Sequence, residues 1–222
     1  MDLQKIIIGT PRSGTSFVTK WYVNENPKHI ALDEQRLYEH FEPDYPDWPD
    51  NNNFKAIDEE TKKRIEKLPR NCIFKMHTGP EMSEYAWKFV YEKPVILVKR
   101  EDVLGQFISY GIGWTTFKWY ILKDWKQESL SGLKEGEQFI YKKEWFDNLA
   151  WRIRDLFYRE PHFKHIESTV WFEDLPEFPN NGNLLVRQNP KSNEEKLKLI
   201  KNVDQFKNWF KEFEKEKERW KR

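Results

Sequence analysis

The sequence lacks most of what an extracellular or membrane protein is built from. One cysteine, Cys72, stands among 222 residues, so an intrachain disulfide framework and a cysteine zinc site are excluded. We therefore expect a reducing cytoplasmic setting, with Cys72 buried in a strand. No apolar run is long enough to span a membrane, and no signal segment precedes the first predicted strand. The formal net charge is only +1, so neither a membrane nor a nucleic acid is an expected partner.

Short β-branched runs alternate along the chain with stretches of helical periodicity. The predicted strands are 6–8, 71–77, 95–99 and 169–172. The predicted helices are 14–22, 33–42, 58–68, 80–90, 101–110, 144–159 and one from Asp204 onward. This alternation predicts an α/β fold of three layers, with a central parallel β-sheet flanked by helices. The length predicts a single domain over residues 1–222.

Two local expectations accompany these elements. Gly111 and Gly113 are predicted to end the helix 101–110, because glycine is the usual residue just beyond a helix C-terminus. The helix 144–159 is predicted to bury one apolar face. The members of that face are Trp145, Leu149, Ile153, Leu156 and Phe157.

The first predicted strand leads into a loop of small, hydroxylated and basic residues. It reads Gly9-Thr10-Pro11-Arg12-Ser13-Gly14-Thr15-Ser16-Phe17. Ser13 and Gly14 let backbone N–H groups close around a tetrahedral anion, and the helix that follows adds the positive end of its dipole. An ordinary left-handed turn would account for Gly14 but not for the neighbouring cation and hydroxyls. We therefore predict a phosphate or sulfate loop.

The loop departs from the Walker pattern of ATP-binding proteins. G-x-x-x-x-G-K-[ST] is met at Gly9, Gly14 and Ser16, but Thr15 stands where the lysine should be. The cation has moved to Arg12, inside the loop. A kinase or nucleotide-binding protein of the P-loop type that uses ATP remains an alternative. The missing lysine and the lack of a convincing acidic Mg²⁺ site on a later strand argue against it.

Lys75 and His77 end the second predicted strand. Residues two apart in a strand share a face, so both side chains project together at the carboxyl end, where open α/β sheets bind ligands. A lone histidine is more often structural than catalytic, and strand placement alone does not assign a role to His77.

An arginine and a serine follow the strand 95–99. Arg100 stands at its tip, and Ser109 follows nine residues later. A guanidinium group, with its forked donors, and a hydroxyl can bind a phosphate together. The alternatives are a surface ion pair of Arg100 with Glu101 or Asp102, and an ordinary helical position for Ser109.

These motifs, in this order, resemble those of the sulfotransferases that use 3′-phosphoadenosine 5′-phosphosulfate (PAPS). The likeness is carried by the loop from Pro11 to Phe17, by Lys75-Met76-His77, and by Arg100 with Ser109. It implies a P-loop NTPase-like sulfotransferase fold. The implied reaction transfers the sulfuryl group from PAPS to a hydroxyl or amine of a small-molecule or saccharide acceptor, giving 3′-phosphoadenosine 5′-phosphate (PAP) and requiring no metal.

The resemblance also implies residue roles. His77 would be the catalytic base, while Arg12 and Lys75 would stabilise the leaving oxygen and the transferred group. The implied ligands of the 5′-phosphosulfate are Arg12, Ser13, Gly14, Thr15 and Ser16, with Phe17 stacking on adenine. Arg100 and Ser109 would bind the 3′-phosphate.

The chain departs from the family pattern in two places. Pro80 stands three residues after the histidine instead of two. The C-terminal Arg-Lys-Gly of cytosolic members is absent, and Arg187 or Lys191 is predicted to replace it. The stretch from Trp171 to Leu175, similar to a Tyr-Glu-Asp-Leu of the family, is interpreted as structural.

The acceptor and the activity stay open at this point. The aromatic stretches 41–53 and 114–125 are candidates to wall an acceptor pocket. They would suit a phenol, a flat alcohol or a sugar equally well. A non-catalytic nucleotide-binding module is a second alternative, and the sequence predicts no oligomeric state.

Overall fold

The computed structural model describes residues 4–26, 28, 30–31, 63, 66–67, 69–78, 84–116, 137–175 and 192–220. Several predictions fall elsewhere in the chain. The helix 33–42, most of the helix 58–68, the aromatic stretch 41–53, most of 114–125, and the residues Arg187 and Lys191 all lie outside the described ranges.

Strands and helices alternate as expected. The strands are β1 (Lys5–Gly9), β2 (Ile30–Ala31), β3 (Cys72–His77), β4 (Pro94–Lys99) and β5 (His165–Trp171). The helices are α1 (Thr15–Glu25), α2 (Glu84–Tyr91), α3 (Val103–Thr116), α4 (Lys143–Arg159), α5 (Asn193–Leu197) and α6 (Val203–Trp220). None of the helices in these ranges is long and apolar enough to cross a bilayer.

The chain divides into two compact units. Unit 1 comprises Met1–Lys99 and Asp155–Phe172, and unit 2 comprises Arg100–Arg154 and Glu173–Arg222. The single domain over 1–222 stays a prediction.

Unit 1 is built on a five-stranded sheet with the order β2-β3-β1-β4-β5. Every neighbouring pair is parallel, and Gly9 is in register with His77 on one side and with Val98 on the other. The α/β class with a parallel sheet flanked by helices is therefore confirmed. After β1, the chain forms β2 and β3 on one side of that strand. It then crosses to the other side, where it forms β4 and β5. The carboxyl end of β1 thus lies where the strand order reverses, which is the usual ligand site of such sheets.

Both faces of the central strands are buried. Ile6 and Ile8 belong to a core cluster with Trp87 and Val90 of α2 and Leu156 of α4. Their neighbour Ile7 points to the opposite face of the sheet and is equally buried. Burial on both faces explains the continuous β-branched run that marked this strand in the sequence. Cys72 is buried in β3, as predicted.

Unit 2 has an aromatic core. Its fully buried members include Phe107 of α3, Phe206 of α6, and Tyr141, which lies just before α4. The Tyr141 hydroxyl donates to the carbonyl of Phe107 over 2.8 Å. Burial, with a smaller contribution from Tyr110, raises the pKa of Tyr141 well above its ordinary value.

The prediction that Gly111 and Gly113 end a helix is wrong. Helix α3 runs through both of them to Thr116. A Cβ atom at Gly111 would lie 2.4 Å from a ring carbon of Tyr141. The glycine therefore serves the close approach of an aromatic ring, and not helix termination.

Two further expectations need correction. Phe157, assigned to the buried face of α4, is 37% exposed, whereas Leu149 and Leu156 of that face are buried. Strand β5 begins at His165, four residues before the predicted strand, and its first five residues are exposed. The apolar pattern was absent there because the side chains of this edge strand face solvent.

Candidate anion-binding site at the end of β1

The loop between β1 and α1 turns sharply through two left-handed residues. Arg12 has φ 65° and Gly14 has φ 94°. Between them, the Ser13 N–H donates to the Thr10 carbonyl over 3.1 Å. Gly14 is the N-cap of α1, and this cap makes no side-chain hydrogen bond. The first N–H groups of an α-helix have no intrahelical acceptor, so the loop delivers a helix N-terminus to the carboxyl end of the central strand.

Ser13 places a buried hydroxyl donor in the loop. The residue is fully buried, and its Oγ has no hydrogen-bond partner in the part of the chain that the structure describes. A buried hydroxyl in this state is rare in folded proteins and calls for an explanation. A ligand oxygen held by the loop provides one, so the residues present fit an anion.

Gly9 permits the loop to sit this close to the sheet. A Cβ atom there would lie 2.6 Å from Ser13 Oγ, 2.7 Å from the carbonyl oxygen of Val98 and 2.8 Å from Thr15 Cγ2. The Val98 carbonyl belongs to β4 and cannot move without disturbing the sheet. Only glycine fits at this position.

Lys75 of β3 reaches the first turn of α1. Its Nζ donates to Ser16 Oγ over 2.8 Å, and the residue is only 5% exposed. Burial of an ammonium group is costly unless hydrogen bonds compensate it. This contact therefore fixes a positive charge beside the hydroxyl of the predicted phosphate loop.

His77 contacts the same turn. Its Nε2 lies 3.0 Å from Thr15 Oγ1, and the ring is half-buried. A backbone hydrogen bond also joins the ends of β1 and β3, because the Thr78 N–H donates to the Gly9 carbonyl over 3.3 Å. Lys75 and His77 thus share one face of β3, as the strand period predicted. The sequence did not predict that each would contact a loop hydroxyl.

Arg12 and Phe17 are the remaining loop residues with a predicted role. Arg12 is partly buried, and Phe17 is 6% exposed. In the described ranges, no group of three or more His, Cys, Asp or Glu side chains could hold a metal ion.

Arg100 lies in unit 2 beside two carboxylates. Its side chain is 8% exposed, Nη2 donates to Asp102 Oδ2 over 3.3 Å, and Nε lies 3.9 Å from Glu173 Oε1. The ion pair with Asp102, which was one of the alternatives, is therefore present. Ser109 lies within α3 and is half-buried. The binding of a 3′-phosphate by these two residues stays a prediction.

The carboxylates near Arg100 organise the start of α3. Asp102 Oδ1 accepts from the Gly105 N–H over 2.8 Å, as an N-cap does. Glu173 accepts from the backbone N–H groups of Glu101 and Asp102 over 3.0 and 3.2 Å. The stretch that contains Glu173 thus has the structural role assigned to it.

A short helix missed in the sequence completes this cluster. Ser192 and Glu195 form a capping box at the start of α5, and Asn193 donates to Asp102 Oδ1 over 2.7 Å. Burial, followed by the charge of Arg100, lowers the pKa of Lys196 on the same helix, although Asp102 acts in the opposite direction. The S-x-x-E pattern at Ser192 was the available signal for this helix.

Comparison with known proteins supplies no relative from which a role could be transferred: no family model, curated protein or solved structure matches the chain.

Proposed function

We propose that the protein is a PAPS-dependent sulfotransferase. One observation carries the proposal: the two β3 residues that the resemblance assigns to catalysis contact the two hydroxyls that it assigns to donor binding. The Lys75–Ser16 contact is 2.8 Å long and the His77–Thr15 contact 3.0 Å. An anion held by the loop would therefore lie beside both a buried ammonium group and an imidazole.

The chain's own residues would divide the reaction between them. PAPS, when bound, supplies a sulfuryl group on a phosphate leaving group. Arg12 and the donors of the first turn of α1 bind the 5′-phosphate and oppose the negative charge that develops on the leaving oxygen. Lys75 contributes positive charge to the same region. His77 takes the proton from the acceptor hydroxyl or amine.

Three parts of the proposal rest on the resemblance or on the composition alone. Arg100 and Ser109 are the proposed residues for the 3′-phosphate. The acceptor is proposed to be a small molecule or a saccharide. The proposed location is the cytoplasm.

Calorimetric titration with PAP, ADP and ATP, in metal-free buffer and again with Mg²⁺, tests the proposal. We expect tight PAP binding that is independent of metal, and much weaker binding of ADP, since ADP lacks the 3′-phosphate and carries its second phosphate on the 5′ side instead. Preference for ATP with Mg²⁺ would instead indicate a P-loop kinase. Binding of PAP then justifies a screen of phenols, alcohols and sugars with PAPS, in which formation of PAP is measured.

A further inference from the structure

Thr15 is held in one orientation from two sides. Its Cγ2 lies 2.8 Å from the position that a Cβ of Gly9 would occupy, so the methyl group packs against the glycine. The residue is 2% exposed, and its carbonyl accepts from Thr19 Oγ1 over 2.9 Å. β-Branched side chains have few rotamers in a helix. With the methyl group on Gly9, the hydroxyl is directed to His77.

The direction of the hydrogen bond between Thr15 Oγ1 and His77 Nε2 depends on the tautomer of the histidine. A threonine hydroxyl has one proton to donate and can also accept hydrogen bonds. The Thr15 O–H can donate to Nε2 only in the tautomer whose imidazole proton is on Nδ1. If the Thr15 O–H turns to a ligand oxygen, Oγ1 can only accept from Nε2, which must then carry the proton.

We propose that Thr15 is a positioning residue that couples occupancy of the anion loop to the tautomer of His77. This inference rests on the proposed function. Anion binding moves the imidazole proton from Nδ1 to Nε2, with one proton released to solvent and one taken up from it. Nδ1 is then the unprotonated nitrogen, and so the one able to take up a proton. Before donor binding, Nδ1 carries a proton and Nε2 is occupied by Thr15, so the base is inactive.

Nitrogen NMR tests the proposal directly, because the ¹⁵N shifts of an imidazole distinguish its two tautomers. The protein is labelled with ¹⁵N-histidine, and His77→Gln identifies the signals of His77. Spectra are recorded at neutral pH without ligand, with inorganic sulfate and with PAP, and binding is measured by calorimetry in the same samples. We expect the protonated nitrogen to change from Nδ1 to Nε2 when either anion binds.

Two variants separate the hydroxyl from the shape of the side chain. Thr15→Val keeps the branched shape and should abolish the tautomer change, whereas Thr15→Ser keeps the hydroxyl and should retain it. With PAPS and an acceptor, we expect kcat of Thr15→Val to fall about 10²-fold, within the range of about 10²–10⁴ for loss of general base catalysis. Thr15→Ser should restore most of it.

The outcomes distinguish this inference from the function on which it rests. PAP binding with an unchanged His77 tautomer in the unmodified protein would overturn the coupling and leave the sulfotransferase proposal intact. The same holds if a folded Thr15→Val still changes tautomer. Should neither PAP nor sulfate bind, both proposals fail. Because the unmodified protein already gives a decisive result, the test does not depend on the variants folding.

Discussion

Lys75 of β3 and Ser16 of α1 are joined by a hydrogen bond of 2.8 Å from the ammonium group to the hydroxyl. The lysine is almost fully buried, so its charge is not screened by bulk water as an exposed lysine's would be. A charge in such a position acts strongly on an anion bound nearby. If the loop binds an anion as proposed, its affinity should therefore depend on a residue of the neighbouring strand.

Lys75→Met tests this contribution. We expect PAP affinity to fall and kcat to drop about 10²–10³-fold, as for loss of one electrostatic donor from an active site. Calorimetry and PAPS turnover measure the two effects. Stability should change little, because an apolar side chain of similar length replaces a buried charge. Lys88→Met, at an exposed position of α2, is the matched control, and equal behaviour of the two variants would contradict the assignment.

His77→Asn is expected to lower kcat by about 10²–10⁴ with nearly unchanged PAP affinity, because the variant loses the proton acceptor but keeps a polar partner for Thr15. Turnover is measured with PAPS and the acceptor that screening identifies. The control is His165→Asn, at the exposed first residue of β5. Full activity of His77→Asn would remove the histidine from the mechanism.

Gly9→Ala should damage the loop and the sheet together. The added methyl group would meet the Val98 carbonyl at 2.7 Å, and we expect a loss of about 1–3 kcal/mol in the free energy of unfolding, as for overpacking of a core. Sulfate affinity should fall as well, since Ser13 must shift. Urea denaturation and calorimetry provide the measurements.

Gly111→Ala is the comparison for this variant, because its new methyl group meets the Tyr141 ring in unit 2. It should also lose stability but retain sulfate affinity. Unaltered stability of Gly9→Ala would show that the loop is looser than its contacts indicate.

Asp102 predicts a pH dependence of stability. Burial alone would raise its pKa, but hydrogen bonds from Gly105 and Asn193 and the charges of Arg100 and Lys196 together lower it below the ordinary value of 3.8. A carboxyl group with a depressed folded pKa stabilises the protein above its unfolded pKa, and this stabilisation is lost as the pH falls through the folded pKa. We therefore expect Asp102→Asn to be less stable than the unmodified protein at pH 7, with the difference vanishing in acid.

Two substitutions of Asp102 separate the effect of its charge from the effect of its capping of α3. Asparagine is as good an N-cap as aspartate, so Asp102→Asn removes mainly the charge, while Asp102→Ala should cost about a further 1 kcal/mol at every pH. Thermal unfolding across a pH series measures both. A pH-independent difference for Asp102→Asn would contradict the lowered pKa.

The sequence predicted β1 and β4 because these strands are apolar on both faces. It predicted the common face of Lys75 and His77 in β3 because a strand repeats every two residues. It could not predict their contacts with Ser16 and Thr15. Those contacts depend on how α1 packs on β3, which no local pattern encodes.

Other features depended on partners distant in the sequence. The role of Gly111 is set by the ring of Tyr141, thirty residues later. The sequence also did not reveal that Glu173 lies 3.9 Å from the guanidinium of Arg100, since the two residues are more than seventy positions apart. Residues of this kind acquire their neighbours only in the folded chain.

The central place of β1 has a consequence for solvent exchange. Its backbone is paired with β3 on one side and β4 on the other, so its amide protons exchange only when the sheet opens. The proposed anion loop begins directly after this strand, and we expect it to be lost in the same opening. A ligand that binds only the closed loop slows exchange by the factor 1 + [L]/Kd. Occupancy of the site should therefore appear as longer amide lifetimes at Ile6, Ile7 and Ile8, whose side chains take no part in binding.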